Sequence, residues 1–246
     1  MDKQELVKSI SSRSSIKNTT TDAFRKTGRQ AAEIVKNKIN KHFHDLGVLN
    51  VLDFGAGSGR VAIPLASLIN LRRFCCVDVD REAIEYLAME LGESCEASVN
   101  GYVPPLCFKD NSFDFVYSIS VWSHMPEDLS MTWLKETQRI VRPGGIVLIT
   151  VAGEVVLDHW KKHYPAQWSN VEIDAFNKQK FIYKAYPHID SNEKQYPGIS
   201  GKGSWGNTLI HEDYVRAEWS ALFDILEFEP SGMNGQQDIV VLRSRG

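Results

Sequence analysis

Val51-Leu52-Asp53-Phe54-Gly55-Ala56-Gly57-Ser58-Gly59-Arg60 is the stretch that decides the fold. A short run of β-strand character enters a turn with glycine at every second position, and the apolar pattern from Val61 to Ile69 then takes a helical period. A turn without side chains lets the backbone come close to a ligand, and the helix behind it offers unpaired N–H groups and a positive end. The spacing is G-x-G-x-G. The dinucleotide fingerprint is G-x-G-x-x-G, and Arg60 stands where its third glycine belongs. Asp78 lies 23 residues beyond Gly55, near the end of the run Phe74–Val79, where a carboxylate can accept both hydroxyls of a ribose. Strand, glycine loop, helix and acid-tipped second strand describe one consistent nucleotide site.

Upstream, Phe24, Ala31, Ile34, Val35, Ile39, Phe43 and Leu46 recur at helical spacing behind a Thr/Asp cluster suited to capping, which predicts a helix over residues 22–46. Downstream, Arg81–Leu91 reads as a helix capped by Asp80 and stopped by Gly92, Cys95–Val99 and Phe113–Ser120 as strands, and Leu129–Val141 as a helix. Arg142-Pro143-Gly144-Gly145 reads as a turn feeding the strand Ile146–Val151. Such alternation is that of a doubly wound α/β sheet with parallel strands. After residue 152 it breaks into a stretch rich in aromatics and prolines, and it resumes with a helix over Asp213–Leu222. Phe223–Glu229 and Asp238–Arg243 are joined by a loop containing Pro230, Gly232 and Asn234-Gly235, too short for a crossover helix, so these strands are expected to run antiparallel. Four segments follow: an N-terminal helical segment (1–47), the binding core (48–151), a cap inserted over the substrate (152–208), and a C-terminal helix and β-hairpin that complete the sheet (209–246).

The 246 residues suit one large α/β domain with an insertion, and 43% hydrophobic with 24% charged residues is ordinary globular usage, which sets disorder and fibrous structure aside. A net charge of −3 argues against a broad nucleic-acid-binding face, although residues 1–50 carry ten Lys and Arg against five Asp and Glu. That excess reads as a solvated helix face, or as a surface for an anionic substrate. No apolar run reaches the ~20 residues of a membrane span, and MDKQELVKSI lacks the apolar stretch of a secretory signal, so a cytoplasmic protein without membrane partners is expected. Cys75, Cys76, Cys95 and Cys107 lack CxxC spacing and read as reduced, mostly buried thiols.

Taken together, VLDFGAGSGR, VDVD, FKDNSFDFVYSIS and QRIVRPGGIVLIT resemble the successive motifs of class I S-adenosylmethionine-dependent methyltransferases across residues 48–151. The resemblance implies a Rossmann-like seven-stranded sheet with its last strand antiparallel, and S-adenosylmethionine as the cofactor. It also implies that Gly55 and Gly57 lie against the methionine part, that Asp53 orients its ammonium through nearby groups, and that Asp78 holds the ribose. Val79 and Asn100 then border the adenine, and Ser120 offers its backbone. The NGYVPP stretch departs from the Asp-Ala often found at that place. Asp114 reads as a turn residue that stabilises the fold.

Methyl transfer from a sulfonium needs an aligned acceptor more than it needs a nucleophilic side chain or a metal. A hydroxyl acceptor gains from a base. His124, in Ser120-Val121-Trp122-Ser123-His124-Met125-Pro126 after the fourth strand, is the leading candidate, with a loop anchor as its plainer reading. His159, His163 and His211 stand behind it, and no spacing of a metal site is apparent. Residues 152–208 hold nine of the chain's 25 Phe, Trp and Tyr, which can stack on an acceptor or serve a small core of their own. Tyr164, Trp205 and Asn207 are the substrate candidates. NGYVPP, SVWSHMPEDL, WGNT, EDYVRAEW and QQDIVVL further resemble a bacterial subgroup associated with surface-polysaccharide assembly, which implies O-methylation of a sugar or of a phosphorylated or nucleotide-linked glycan precursor. Two other classes compete: a non-catalytic S-adenosylmethionine-binding module and a nicotinamide-dependent oxidoreductase.

Overall fold

The computed structural model of the chain describes residues 21–186 and 205–245. Residues 1–20 of the expected N-terminal segment and 187–204 of the expected cap lie outside the described residues. Seven strands form one sheet in the order β3-β2-β1-β4-β5-β9-β8, with β1 Asn50–Phe54, β2 Arg73–Asp78, β3 Glu96–Val99, β4 Phe113–Ser118, β5 Val141–Val151, β8 Phe223–Met233 and β9 Gln237–Ser244. The first five run parallel, while β9 runs antiparallel to both β5 and β8. The hairpin follows from Asn234 and Gly235, both with positive φ at 56° and 71°, a conformation these two residues tolerate well.

Both faces of the sheet are covered, so its central strands read as continuous apolar runs. The pleat sends Leu52 and Phe54 of β1 into one core, where Leu129, Trp133 and Leu134 of helix α4 (Glu127–Ile140) meet them. Val51 points to the opposite core, built with α1 (Thr21–His42), α2 (Ala62–Leu68) and α3 (Arg81–Leu91). Helix α1 ends at His42, four residues short of its expected end, because a 3-10 turn at Leu46–Val48 takes over before β1. Asp80 caps α3 by accepting the Ala83 N–H, and Gly92 ends it at φ 53°, as its sequence indicates. Strand β5 starts at Val141, so the expected turn Arg142–Gly145 is an irregular strand entry whose register shifts between Phe113 and Phe115.

The stretch after residue 152 is more regular than its composition indicates. It holds α5 (Glu154–His163), α6 (Asn170–Gln179) and a two-stranded antiparallel sheet of β6 (Phe181–Ala185) and β7 (Gly206–Ile210), and α7 (Glu212–Glu218) follows. Strand β7 crosses the boundary expected at 208. Short helices escape a periodicity reading, although Ser169 and Glu172 form a capping box that is legible as S-x-x-E. Ala152, Val156, Leu157, Trp168, Phe176 and Leu209 form a separate small core here. The aromatic residues thus serve packing in part, with Trp160 and Trp168 stacked at 6.2 Å. Three cysteines are buried free thiols, and Cys107 is exposed.

Candidate active site

The site grows from the carboxyl ends of the parallel strands. Asp53, on β1, is 3% exposed, and its Oδ2 has no hydrogen-bond partner. Burial pushes its carboxyl up to about 7, with nearby Asp78 adding to the shift, while Tyr117 and Arg60 oppose it. Tyr117 is the cross-strand neighbour of Asp53 on β4, and its phenol favours the carboxylate. The approach falls short of a good hydrogen bond, since the Tyr117 hydroxyl is also without a partner.

The glycine loop is pinned to β2, with the N–H groups of Gly55 and Ala56 donating to the Val77 carbonyl at 2.9 and 3.0 Å. At Gly55, φ is 82° and a side chain would strike Val121, so only glycine lets the loop lie against the turn that follows β4. Gly57, at φ 54°, is different: a Cβ there would meet nothing within 4 Å, so its backbone borders open space. Its N–H donates to Asp78 Oδ2 at 2.7 Å, and the Asp80 N–H donates to Asp78 Oδ1 at 2.9 Å. Burial pushes Asp78 up to about 6 against these bonds. The Val79 N–H also favours the carboxylate, and the lone pairs that remain can serve a ligand. Val79 follows directly. On the next strand end Asn100 donates its N–H to the Asp78 carbonyl at 3.0 Å and its amide to Gly101, and its buried Oδ1 has no partner.

The turn after β4 carries the second half of the site. Ser120 has φ 63°, and its N–H is engaged by Thr150 Oγ1 at 2.8 Å, so its carbonyl is the backbone group left to face a ligand. Trp122–His124 is one 3-10 turn. His124 is buried, with Nδ1 at 2.8 Å from the Gly206 carbonyl. A carbonyl can only accept, so Nδ1 carries the proton and the neutral ring keeps its lone pair on Nε2. Burial lowers the His124 pKa, opposed by this same bond. Trp205 stacks on the ring at 4.9 Å and 20°, and Tyr186 approaches at 6.4 Å. Thr208 donates to the Met125 carbonyl at 2.6 Å, a second tie between β7 and this turn.

The remaining sequence candidates separate. Asn207 lies on the face of β7 shared with its register partner Lys184 and with Leu209, and its amide oxygen takes the Tyr186 hydroxyl at 2.7 Å. Tyr164 is exposed at the end of α5, and none of the contacts holding His124 comes from it. His159 and His163 pair with each other at 4.4 Å on α5, and His211 caps α7. Asp114 accepts the Asn50 N–H at 2.7 Å and pairs with Arg142, at the entry ends of the strands. Among the described residues no group of three or more His, Cys, Asp and Glu is placed to hold a metal.

Tyr117, Thr150, Tyr186, Gly206 and Gln237 also belong to the site, and although all but Tyr186 lie in the quoted motifs, nothing in the sequence singles them out within those stretches. Each meets its partner only through tertiary contact, across strands or with the turn after β4. Arg60 had a signal, since a charged residue replaces a glycine, but its partner Asp53 emerges only when the loop folds back on β1.

A family described as "Methyltransferase domain" matches residues 51–145. Among solved structures, a SAM-dependent methyltransferase from Methanosarcina mazei is 20% identical at a TM-score of 0.58, covering 84% of this chain and 96% of its own. Magnesium protoporphyrin IX methyltransferase (ChlM) from Synechocystis PCC 6803, solved with bound SAH, is 14% identical at 0.62, covering 97% and 94%. The CcbJ methyltransferase from Streptomyces caelestis is 13% identical at 0.56, covering 88% and 94%. At these identities the likeness is one of fold.

Proposed function

From the premise that residues 51–145 form the domain of a class I S-adenosylmethionine-dependent methyltransferase, we propose that the enzyme methylates an oxygen of a small ring-bearing acceptor. The favoured acceptor is a sugar or a phosphorylated or nucleotide-linked glycan precursor. In this reading Asp53, Gly55, Gly57, Asp78, Val79, Asn100 and Ser120 hold the cofactor. What supports it is two orphaned buried oxygens, Asp53 Oδ2 and Asn100 Oδ1, each able to accept from a ligand N–H, and the open space beside Gly57. The cofactor supplies a methyl group on a positively charged sulfur, already activated for in-line displacement. The protein supplies position and a proton acceptor.

The single observation that carries O-methylation is the state of His124. A buried, neutral imidazole whose Nδ1–H is fixed on the Gly206 carbonyl has its basic Nε2 available for an acceptor hydroxyl proton. Trp205 and Tyr186 beside it supply ring faces suited to the apolar face of a sugar or to a base. In this reading residues 152–208 act as the acceptor's cap, and among the described residues Trp205 lies against His124, Asn207 against Tyr186, and Tyr164 is exposed. Four free thiols and the lack, among the described residues, of a helix long and apolar enough to cross a membrane fit a cytoplasmic setting.

The test is release of S-adenosylhomocysteine from S-adenosylmethionine in the presence of sugars, sugar phosphates, nucleotide sugars and phenols. Turnover with a sugar-containing acceptor is expected, and His124→Gln should lower kcat by about 10² while cofactor affinity stays put. Turnover that survives in both His124→Gln and His124→Ala returns His124 to a loop anchor. Cofactor binding without turnover on any acceptor would favour a binding module.

A further inference from the structure

We propose that Gln237, the first residue of β9, is a positioning residue that clamps the turn Ser120–His124 and so sets the cofactor side and the acceptor side of the site together. The inference rests on the methyltransferase reading of that turn, and it adds a residue from the far end of the chain. Topology makes it possible. Because β9 runs antiparallel, its first residue lies at the edge where the parallel strands end, so a residue 117 positions from Ser120 reaches the same edge. In the sheet order β4-β5-β9, the Gln237 side chain spans β5 to reach the end of β4.

Every polar atom of that side chain is engaged. Oε1 accepts from Ser120 Oγ at 3.0 Å and from Thr150 Oγ1 at 2.8 Å, and Nε2 donates to Ser123 Oγ at 3.2 Å. Thr150 Oγ1 in turn accepts the Ser120 N–H. Ser120 therefore meets the clamp through both its backbone and its side chain, and it needs holding. It keeps φ 63°, a left-handed conformation that a non-glycine residue adopts at a cost unless its surroundings enforce it. Ser123 precedes His124, whose opposite flank is fixed by Gly206. Thr150 and Ser123 are 0% and 3% exposed, so water does not readily replace the amide for them. A part-buried network of this kind, anchored on the buried Thr150 and Ser123, favours one arrangement of its members. Here that arrangement fixes the distance between the backbone of Ser120 and the imidazole of His124.

The clamp predicts how substitutions sort. Leucine removes all three bonds. Glutamate keeps them, because a carboxylate accepts from Ser120 and Thr150 and the Ser123 hydroxyl can turn to donate. S-adenosylhomocysteine binding is read by calorimetry and protection of the Ser120 amide by hydrogen exchange, in wild type, Gln237→Leu, Gln237→Glu and Val241→Ala. The last thins the buried core on the same strand without touching the network. Gln237→Leu should weaken binding about tenfold and deprotect Ser120, while Gln237→Glu restores both. Val241→Ala should lower Tm and leave affinity alone. If Gln237→Leu does not fold, Gln237→Asn, whose amide falls one methylene short, carries the same expectation. Wild-type affinity and protection in Gln237→Leu would overturn the clamp, as would an equal affinity loss in Val241→Ala at equal loss of Tm. A wild type that binds no S-adenosylhomocysteine sinks the cofactor reading instead, and Ser120 exchange then decides the clamp by itself.

Discussion

Asp78 holds its place at the end of β2 by taking two backbone N–H groups, one from the glycine loop and one from Asp80. It thereby orders the loop, and in the proposed reading its remaining lone pairs serve the cofactor. Asp78→Ala removes both, so S-adenosylmethionine binding should weaken by about 1.5–3 kcal/mol, the range for hydrogen bonds to a charged group. Calorimetry on the folded variant checks this, and wild-type affinity would take Asp78 away from the ribose. Asp53 differs, because its Oδ2 makes no hydrogen bond within the protein that compares with those of Asp78. A carboxyl held near neutrality by burial suits a cationic ligand and costs the empty protein stability, a trade common at binding sites.

At the scale of elements, α1 and β7 reach the site from outside the residues of the matched domain, as β9 does through Gln237. Gly28 sits inside α1, where glycine costs about 1 kcal/mol relative to alanine. Burial of Val35 and Ile39 on the same helix outweighs that, at roughly 1.5–3 kcal/mol each. The glycine is needed because a Cβ at position 28 would collide with the backbone carbonyl of Arg60, at the end of the glycine loop. Gly28→Ala should therefore destabilise by about 1–3 kcal/mol, the opposite of its helix-propensity effect, and should weaken S-adenosylhomocysteine binding as the loop shifts. A rise in Tm with unchanged affinity would show that α1 does not brace the loop. On the other side, β7 brings Trp205 onto His124. Trp205→Ala should raise the acceptor KM about tenfold or more and leave the cofactor Kd within about twofold, as steady-state kinetics and calorimetry can read.

For the whole molecule, two sets of carboxylates pull stability in opposite directions with pH. Burial alone would raise Glu227, but Lys38 and Lys41 draw it down to about 2, so its contribution is present above the ordinary 4.5 and is lost as pH falls toward 2. These contacts bind α1 to β8. Asp53, raised from 3.8 to about 7, has the other sign: its contribution is complete below 3.8 and is lost as pH rises through 7. Asp53→Asn keeps the shape of the neutral acid and removes the charge. It should raise Tm of the ligand-free protein more at pH 8 than at pH 5, by about 1 kcal/mol or more, or roughly 2–4 °C for a chain of this length. Calorimetric scans at the two pH values check it. An equal Tm change at both would mean that Asp53 titrates outside this range.

The parallel core, its glycine loop, the acid at the end of β2 and the antiparallel hairpin were all determined by local pattern. Alternating strands and helices, glycine spacing and a short Asn-Gly connection act over a few residues, and the neighbouring chain hardly alters them. The order within residues 152–186 was hidden because α5 and α6 are short and half-exposed, which leaves little periodicity to read, although the Ser169–Glu172 box was there. Tertiary structure alone decided which nitrogen of His124 is basic, since that depends on a carbonyl 82 residues away. It also decided that Trp205 stacks on His124 while Asn207 takes the hydroxyl of Tyr186, and that Gln237 joins Ser120 and Ser123. Hydrogen bonds between strands distant in sequence have no local signature, because each partner is an ordinary polar residue until the sheet order brings it to the shared edge.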